Sequence, residues 1–419
     1  MINRYTQNYQ TIWNNCPDVL PGFSRTYSPD EKEIRQQKLD ICLNELRKTI
    51  LLNKQKADFN QIKNLMLAQA QFILGETMDF PNEEMDMLFS PEFQTVTKRF
   101  VNQAREFDPG MSYPDIFQAC RNVWIMNGLQ LLMGIPVALT PPVFAYSMLY
   151  PYTDNFIDNP GISNHEKQEF SQRFYARLAG TTSSPGNATE QSIFALVEMI
   201  EAYYPRHNFP KVYESLLDIH RAQTESMNLV GPGHPLSGDE VLKICLNKGG
   251  ASVIADGYLV AGDLTDLEQH FLYGYGAYLQ LLDDIQDAKD DLNGPIRTVF
   301  SDQIRKGDLD CLVNKTYWFG DEVMKSLPFF KSPCNGIFKA LMRKSMDLFI
   351  IEAIAQFPDA FSDKYLQETE PFSPFSFDYI RKRKQSMEPY RELIFSYIES
   401  YFRKNRTKKK WHQKVISPG

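Results

Sequence analysis

Apolar residues recur at three- and four-residue steps along most of the chain, the spacing of one face of an α-helix. Helices are predicted near 31–54, 58–76, 113–134, 142–158, 164–179, 190–203, 210–228, 238–261, 265–290, 319–326, 335–355 and 386–403. Alternating runs that would predict strands are scarce, and no glycine-rich loop follows a strand as in a nucleotide-binding α/β unit. Breakers fall between the predicted helices: Gly180-Thr-Thr-Ser-Ser-Pro-Gly-Asn, Gly231-Pro-Gly-His-Pro, Gly294-Pro and Ser373-Pro-Phe-Ser. Ser237-Gly-Asp-Glu240 has the form of a capping box opening the helix through Lys248. The pattern predicts an all-α fold, a large helical bundle. It divides into a helical region over 1–110 packed on the bundle, the bundle itself over 111–400, and a basic tail over 401–419.

Composition narrows the class. The 419 residues are 43% hydrophobic and 13% aromatic, with 29 Phe and 21 Tyr, a supply suited to a core or to the wall of an apolar pocket. The net charge of −7 argues against nucleic acid as a partner. Arg403 to Lys414 is different: it holds seven Lys or Arg and no acid, with Trp411 among them. Such a run is either a solvated tail or a weak contact for an anionic membrane surface. The six Cys are scattered without a CxxC pair, which suggests neither a zinc site nor a disulfide framework. The first fifteen residues lack the apolar stretch of a signal peptide, so the expected location is the cytoplasm. On that expectation the sequons at Asn187 and Asn314 carry no meaning.

Val123 to Tyr152 contains no charged residue and is long enough to span a bilayer. Pro136, Pro141 and Pro142 break it, and Asn127 and Gln130 interrupt its first half. Two buried helices joined by a proline turn are therefore expected.

Two acidic motifs follow apolar helices. In Thr153-Asp154-Asn155-Phe156-Ile157-Asp158, the carboxylates of Asp154 and Asp158 are four apart and share a face, with Tyr150 and Tyr146 behind them on the same stripe. In Gln280-Leu-Leu-Asp283-Asp284-Ile-Gln-Asp287, Asp283 and Asp287 share a face and Gln280 lies one turn earlier. Gly274 and Gly276 precede them, which inside a helix suggests close packing or the approach of a ligand. Like charges stacked on one helix repel. Mg²⁺ takes one or two carboxylates and completes its shell with water and phosphate, so paired clusters of this kind suit Mg²⁺ around a diphosphate. Lys248 is the only charge from Ile244 to Ala255, and it is either a snorkelling lysine or a phosphate ligand.

These residues resemble the trans-prenyl diphosphate synthases and the wider superfamily of class I isoprenoid synthases. That family has a first aspartate-rich motif, a Lys opening a small-residue helix, a glycine pair, a Gln and a second aspartate-rich motif. Here Asp154…Asp158, Lys248-Gly-Gly-Ala-Ser, Gly274-Tyr-Gly276 and Gln280-Leu-Leu-Asp-Asp-Ile-Gln-Asp287 stand in that order, over residues 115–300. The resemblance implies a class I terpene synthase-like bundle with a central active-site cavity. It also implies Mg²⁺, three ions with bound diphosphate, held by Asp154 and Asp158 on one side and by Asp283, Asp284 and Asp287 on the other. Lys248 and Gln280 would hold the diphosphate, Tyr146 and Tyr150 would line the pocket beneath, and Arg173 and Arg177 stand as further candidates. Asp290, Asp291 and Arg297 would support the second motif or form a solvated helix end. His220 would approach the site or serve as a hydrogen-bonded helix residue.

The departures bear on the activity. Chain-elongating members have Asp-Asp-x-x-Asp, an Arg-Arg pair after it and a Gly-Gly-Lys-Arg stretch before it. Here Asn155 takes the second position and both basic elements are missing. An Asp-Asn-x-x-Asp form resembles squalene synthase-like and bacterial large terpene synthases, while the usual second motif of terpene cyclases is absent. The expected function is a terpene synthase that ionises one prenyl diphosphate. A prenyltransferase using isopentenyl diphosphate or another acceptor, and a non-catalytic isoprenoid-binding protein, remain the alternatives. Homodimers are usual among such proteins.

Overall fold

The computed structural model describes residues 2–52, 59–159, 161–230, 236–294, 296–330 and 332–384. Every regular element among them is helical, apart from an isolated bridge between Val230 and Ile296. The helices, in chain order, are α1 (Asn3–Asn15), α2 (Pro29–Leu52), α3 (Phe59–Phe72), α4 (Asn82–Leu88), α5 (Pro91–Phe107), α6 (Tyr113–Leu132), α7 (Pro141–Asp158), α8 (Asn164–Leu178) and α9 (Ala188–Tyr203). They continue as α10 (Pro210–Ser226), α11 (Gly238–Ala261), α12 (Asp266–Gln286), α13 (Ala288–Asn293), α14 (Val299–Ile304), α15 (Asp310–Met324), α16 (Asn335–Gln356) and α17 (Asp363–Thr369). The helix expected over 386–403 and the basic tail lie outside the described residues.

The centre of the bundle is the antiparallel pair α11 and α12. Both helices open on capping boxes, Ser237 with Glu240 as expected and Thr265 with Glu268. Their middles are buried on nearly every side. Gly249 and Gly276 let the two backbones touch. A Cβ on Gly249 would lie 2.2 Å from the Gly276 carbonyl oxygen, and one on Gly276 would lie 2.1 Å from that of Gly249. The glycine pair therefore acts through helix packing. α10, α6 and α7 cover one flank of α11, while α15 and α16 cover α12.

α1 packs against α11, α12 and α15, although its sequence is mostly polar. Tyr5, Tyr9 and Trp13 make a narrow buried stripe at four-residue steps, too thin to stand out in the sequence. The Tyr9 hydroxyl donates to the His270 carbonyl at 2.9 Å, and its ring fills the space over Gly274. α5 was also missed, although Ser90 caps it ahead of Pro91 and Phe93, Val96, Phe100 and Ala104 form its buried face. α15 begins at Asp310, nine residues before the expected start. The single helix expected over 265–290 divides at Asp287 into α12 and α13.

The uncharged stretch resolves as expected: α6 ends at Leu132, an extended link follows, and α7 starts on the Pro141-Pro142 pair capped by Thr140. No helix among the described residues is long and apolar enough to cross a membrane. Pro151 lies inside α7, where it removes one backbone donor. Thr153 bonds its hydroxyl to the Leu149 carbonyl at 2.9 Å just beyond it.

If backbone contact between α11 and α12 sets the core, Gly249→Ala should lower unfolding free energy by about 3 kcal/mol or more, because the helices must separate. Gly22→Ala, with nothing within 4 Å of the added carbon, should change it little. Urea denaturation of both variants measures the difference.

Candidate active site

The second acidic motif closes α12. Asp287 N–H bonds to the Asp283 carbonyl at 2.9 Å, and Asp291 N–H to that of Asp287 at 2.9 Å. Helical register thus continues across the joint, and Asp283, Asp287 and Asp291 fall on one face. Burial raises the pKa of both Asp287 and Asp291, and neighbouring carboxylates raise each further, Asp291 to about 6. Asp283 and Asp287 are exposed, and Asp290 stands beside them in solvent.

Asp284 points the other way. It is 6% exposed and accepts a hydrogen bond from Gln280 at 2.8 Å, and its second oxygen has no hydrogen-bond partner among the described residues. Burial pushes its carboxyl up to about 7, against the pull of Gln280, Cys245 and Lys248. Lys248, half-buried on α11, also stabilises the ionised form of Asp291. The structure therefore brings Lys248, Gln280, Asp284 and Asp291 together, with Asp283 and Asp287 on the outer face.

The first motif reaches the same end of the bundle through α6. Asn155 donates to Asp115 at 3.3 Å in the first turn of α6, and Arg121 on α6 lies close enough to Asp287 to favour its charge. Asp115 and Arg121 are about 9 Å apart along the helix axis. The side chains of Asp154 and Asp158 lie outside the described residues; their backbones form the last turn of α7.

Beneath the first motif is a small hollow, partly open to solvent, between α6, α7, α8, α10 and α11, with a free interior of about 40 Å³. Tyr146 and Tyr150 line it, with Leu149, Leu178, Leu216 and Ile219 as an apolar wall. Toward Ile157 and Lys167 a second, smaller hollow shares Thr153, Phe174, His220 and Gln223. His220 lines both. Its Nε2 is 3.3 Å from the Ser171 hydroxyl, and its ring packs edge-on to Phe174. Burial lowers its pKa to about 4 and keeps the ring neutral at pH 7. It is thus both the hydrogen-bonded helix histidine and a wall of the cavity.

The remaining arginines have other partners. Arg177 forms a two-pronged ion pair with Glu201, and Arg173 forms one with the fully buried Glu190. Arg297 pairs with Asp302 at 2.6 Å. These pairs pin α8 to α9 and the 297–302 turn, so Arg177 is not among the groups gathered at the carboxylates. Asn122 and Ser252, which line the cavity, and Asp256, buried behind Asn122, went unrecognised. Only a buried acid in the apolar helix after Lys248 hinted at them.

Among the described residues, no three His, Cys, Asp or Glu side chains converge to hold a metal ion by themselves. The exposed pair Asp283 and Asp287 still fits Mg²⁺, which needs only one or two carboxylates beside phosphate and water. The donors are all oxygen, and their mutual repulsion is what a divalent cation would relieve. No family model, no curated protein and no solved structure matches this chain. The likeness to isoprenoid synthases rests on the residues and their order.

The buried His220 makes a pH prediction. Its folded pKa lies below the ordinary value of 6.5, so its contribution to stability is complete above about pH 6.5 and is lost as pH falls toward 4. Between pH 7 and 4.5 the wild type should lose on the order of 2 kcal/mol relative to His220→Gln. Urea unfolding of both at the two pH values gives the comparison, and a constant difference would show that His220 titrates normally.

Proposed function

We propose that this chain is a class I terpene synthase. It would ionise one linear allylic prenyl diphosphate and fold the resulting cation to a terpene. The observation that carries this reading is a pair of parallel stripes. On α11, Lys248 and Ser252 stand one turn apart, and on α7 Tyr150 and Tyr146 do the same, with Ser252 and both tyrosines lining the cavity. Each step is about 6 Å long, and the one on α11 leads from a charged residue into the aromatic hollow. An anionic head and an apolar tail fit that polarity.

In this mechanism the allylic C–O bond breaks and its electron pair leaves with the diphosphate. Lys248 would bind the diphosphate as a point charge, and Gln280 would hold Asp284 in place beside it. Asp154, Asp158, Asp283 and Asp287 would hold Mg²⁺, which when bound supplies positive charge against the departing oxygens. Asp284 lies behind that face, and its proximity to Lys248 suits it to positioning the lysine. Tyr146 and Tyr150 would stabilise a cation through their rings, and the leucine wall would limit water beside it.

Single-substrate chemistry is favoured over chain elongation by a specific observation. Arg173 and Arg177, the arginines nearest in sequence after the first motif, are held by Glu190 and Glu201. Neither is available as a clamp for a second diphosphate.

The test is a product assay with Mg²⁺ and allylic diphosphates of ten to twenty-five carbons, each with and without isopentenyl diphosphate. A cyclic hydrocarbon or alcohol from one allylic substrate alone is expected. Lys248→Ala and Asp283→Ala should each lower kcat by about a hundred-fold or more, with circular dichroism unchanged. Longer diphosphates formed only with isopentenyl diphosphate would make the chain a prenyltransferase. Binding without turnover would make it a carrier.

A further inference from the structure

The inner end of the cavity is polar, which an apolar ligand alone does not explain. Asn122 of α6, Tyr146 of α7 and Ser252 of α11 line it there. One turn beyond Ser252 lies Asp256, 1% exposed. Its Oδ1 accepts from the Asn122 amide at 3.2 Å, and the same amide donates to the Ser147 hydroxyl at 3.2 Å. The Tyr146 hydroxyl sits against the Ser252 side chain and close to Asp256. Asp256 Oδ2 has no hydrogen-bond partner among the described residues. A buried oxygen left in that state costs about 1–3 kcal/mol, and such atoms mark places completed by water or by a ligand.

Burial holds the Asp256 carboxyl well above the usual carboxylate range and so favours its neutral form. Its neighbours are an amide and hydroxyls, a set that matches a molecule that both donates and accepts hydrogen bonds.

We infer that Asn122, Tyr146, Ser252 and Asp256 hold one water molecule at the closed end of the cavity and deliver it to the carbocation, so that the product is an alcohol. The inference rests on the ionising chemistry proposed above and adds its terminating step. The cradle lies about two helical turns from Lys248, so water meets the chain far from the carbon that lost diphosphate. A distal double bond attacks the ionised carbon and closes a ring, which moves the positive charge to a distal carbon. A lone pair on the water oxygen then forms the C–O bond there. The oxonium ion gives its extra proton to the released diphosphate, and no oxidant or reductant is needed. The four residues are positioning residues for that water.

The experiment uses the full chain with Mg²⁺, the same panel of allylic diphosphates and water enriched in ¹⁸O. It reads diphosphate release and the ratio of cyclic alcohol to hydrocarbon. Uncatalysed hydrolysis places oxygen on an allylic carbon, so a ring-borne or distal hydroxyl identifies the enzymic product. Wild type should give a labelled alcohol of that kind. Asp256→Leu and Ser252→Ala should each lower the alcohol-to-hydrocarbon ratio by about ten-fold or more, and Asp256→Asn should restore it to within about three-fold. The ratio is measured per turnover, so a change in folding yield does not alter it. Diphosphate release with hydrocarbon alone, or with an unchanged ratio in both variants, overturns the cradle and leaves the ionising enzyme intact. No diphosphate release from any substrate overturns both.

Discussion

Two carbonyl groups that meet where side chains should be determine the layout of this protein. Gly249 and Gly276 leave no room for a Cβ, so α11 and α12 lie backbone to backbone at that point. A contact of that kind fixes rotation and register together, because neither helix can slide without a clash. Once it is set, Cys245 and Lys248 must face Asp284 and Asp291 across the seam. The same rotation points Ser252 and Asp256 toward α6 and α7. The charged end and the polar floor of the cavity are thus two readouts of a single packing decision.

Much of this was legible in the sequence because it was local. The capping box at Ser237, the proline turn between α6 and α7, and the acidic ends of α7 and α12 depend on neighbours within four residues. What was not legible depends on distant partners. α1 hides because its three buried aromatics sit among Asn and Gln, and only the face of α12 gives them meaning. Asp284 and Asp283 are adjacent in sequence and opposite in environment, a difference of helix rotation that no motif records. Arg177 was a candidate phosphate ligand until Glu201, on another helix, was found to hold it.

The electrostatics divide the interior by depth. At the acidic end, burial and neighbouring carboxylates raise Asp287 and Asp291, and Lys248 opposes the rise at Asp291. Further in, burial favours the neutral forms of both His220 and Asp256, lowering the one pKa and raising the other.

The docking of Tyr9 over Gly274 has a consequence for biogenesis. The bond from Tyr9 to the His270 carbonyl spans 261 positions of chain. α1 leaves the ribosome long before the helices that will bury it, and its aromatic stripe stays uncovered during that interval. Contacts of such long separation close slowly and leave apolar surface open to wrong partners. The predominantly polar sequence of α1 keeps that waiting segment dissolved, so the same thin stripe that hides the helix from inspection also protects it during synthesis.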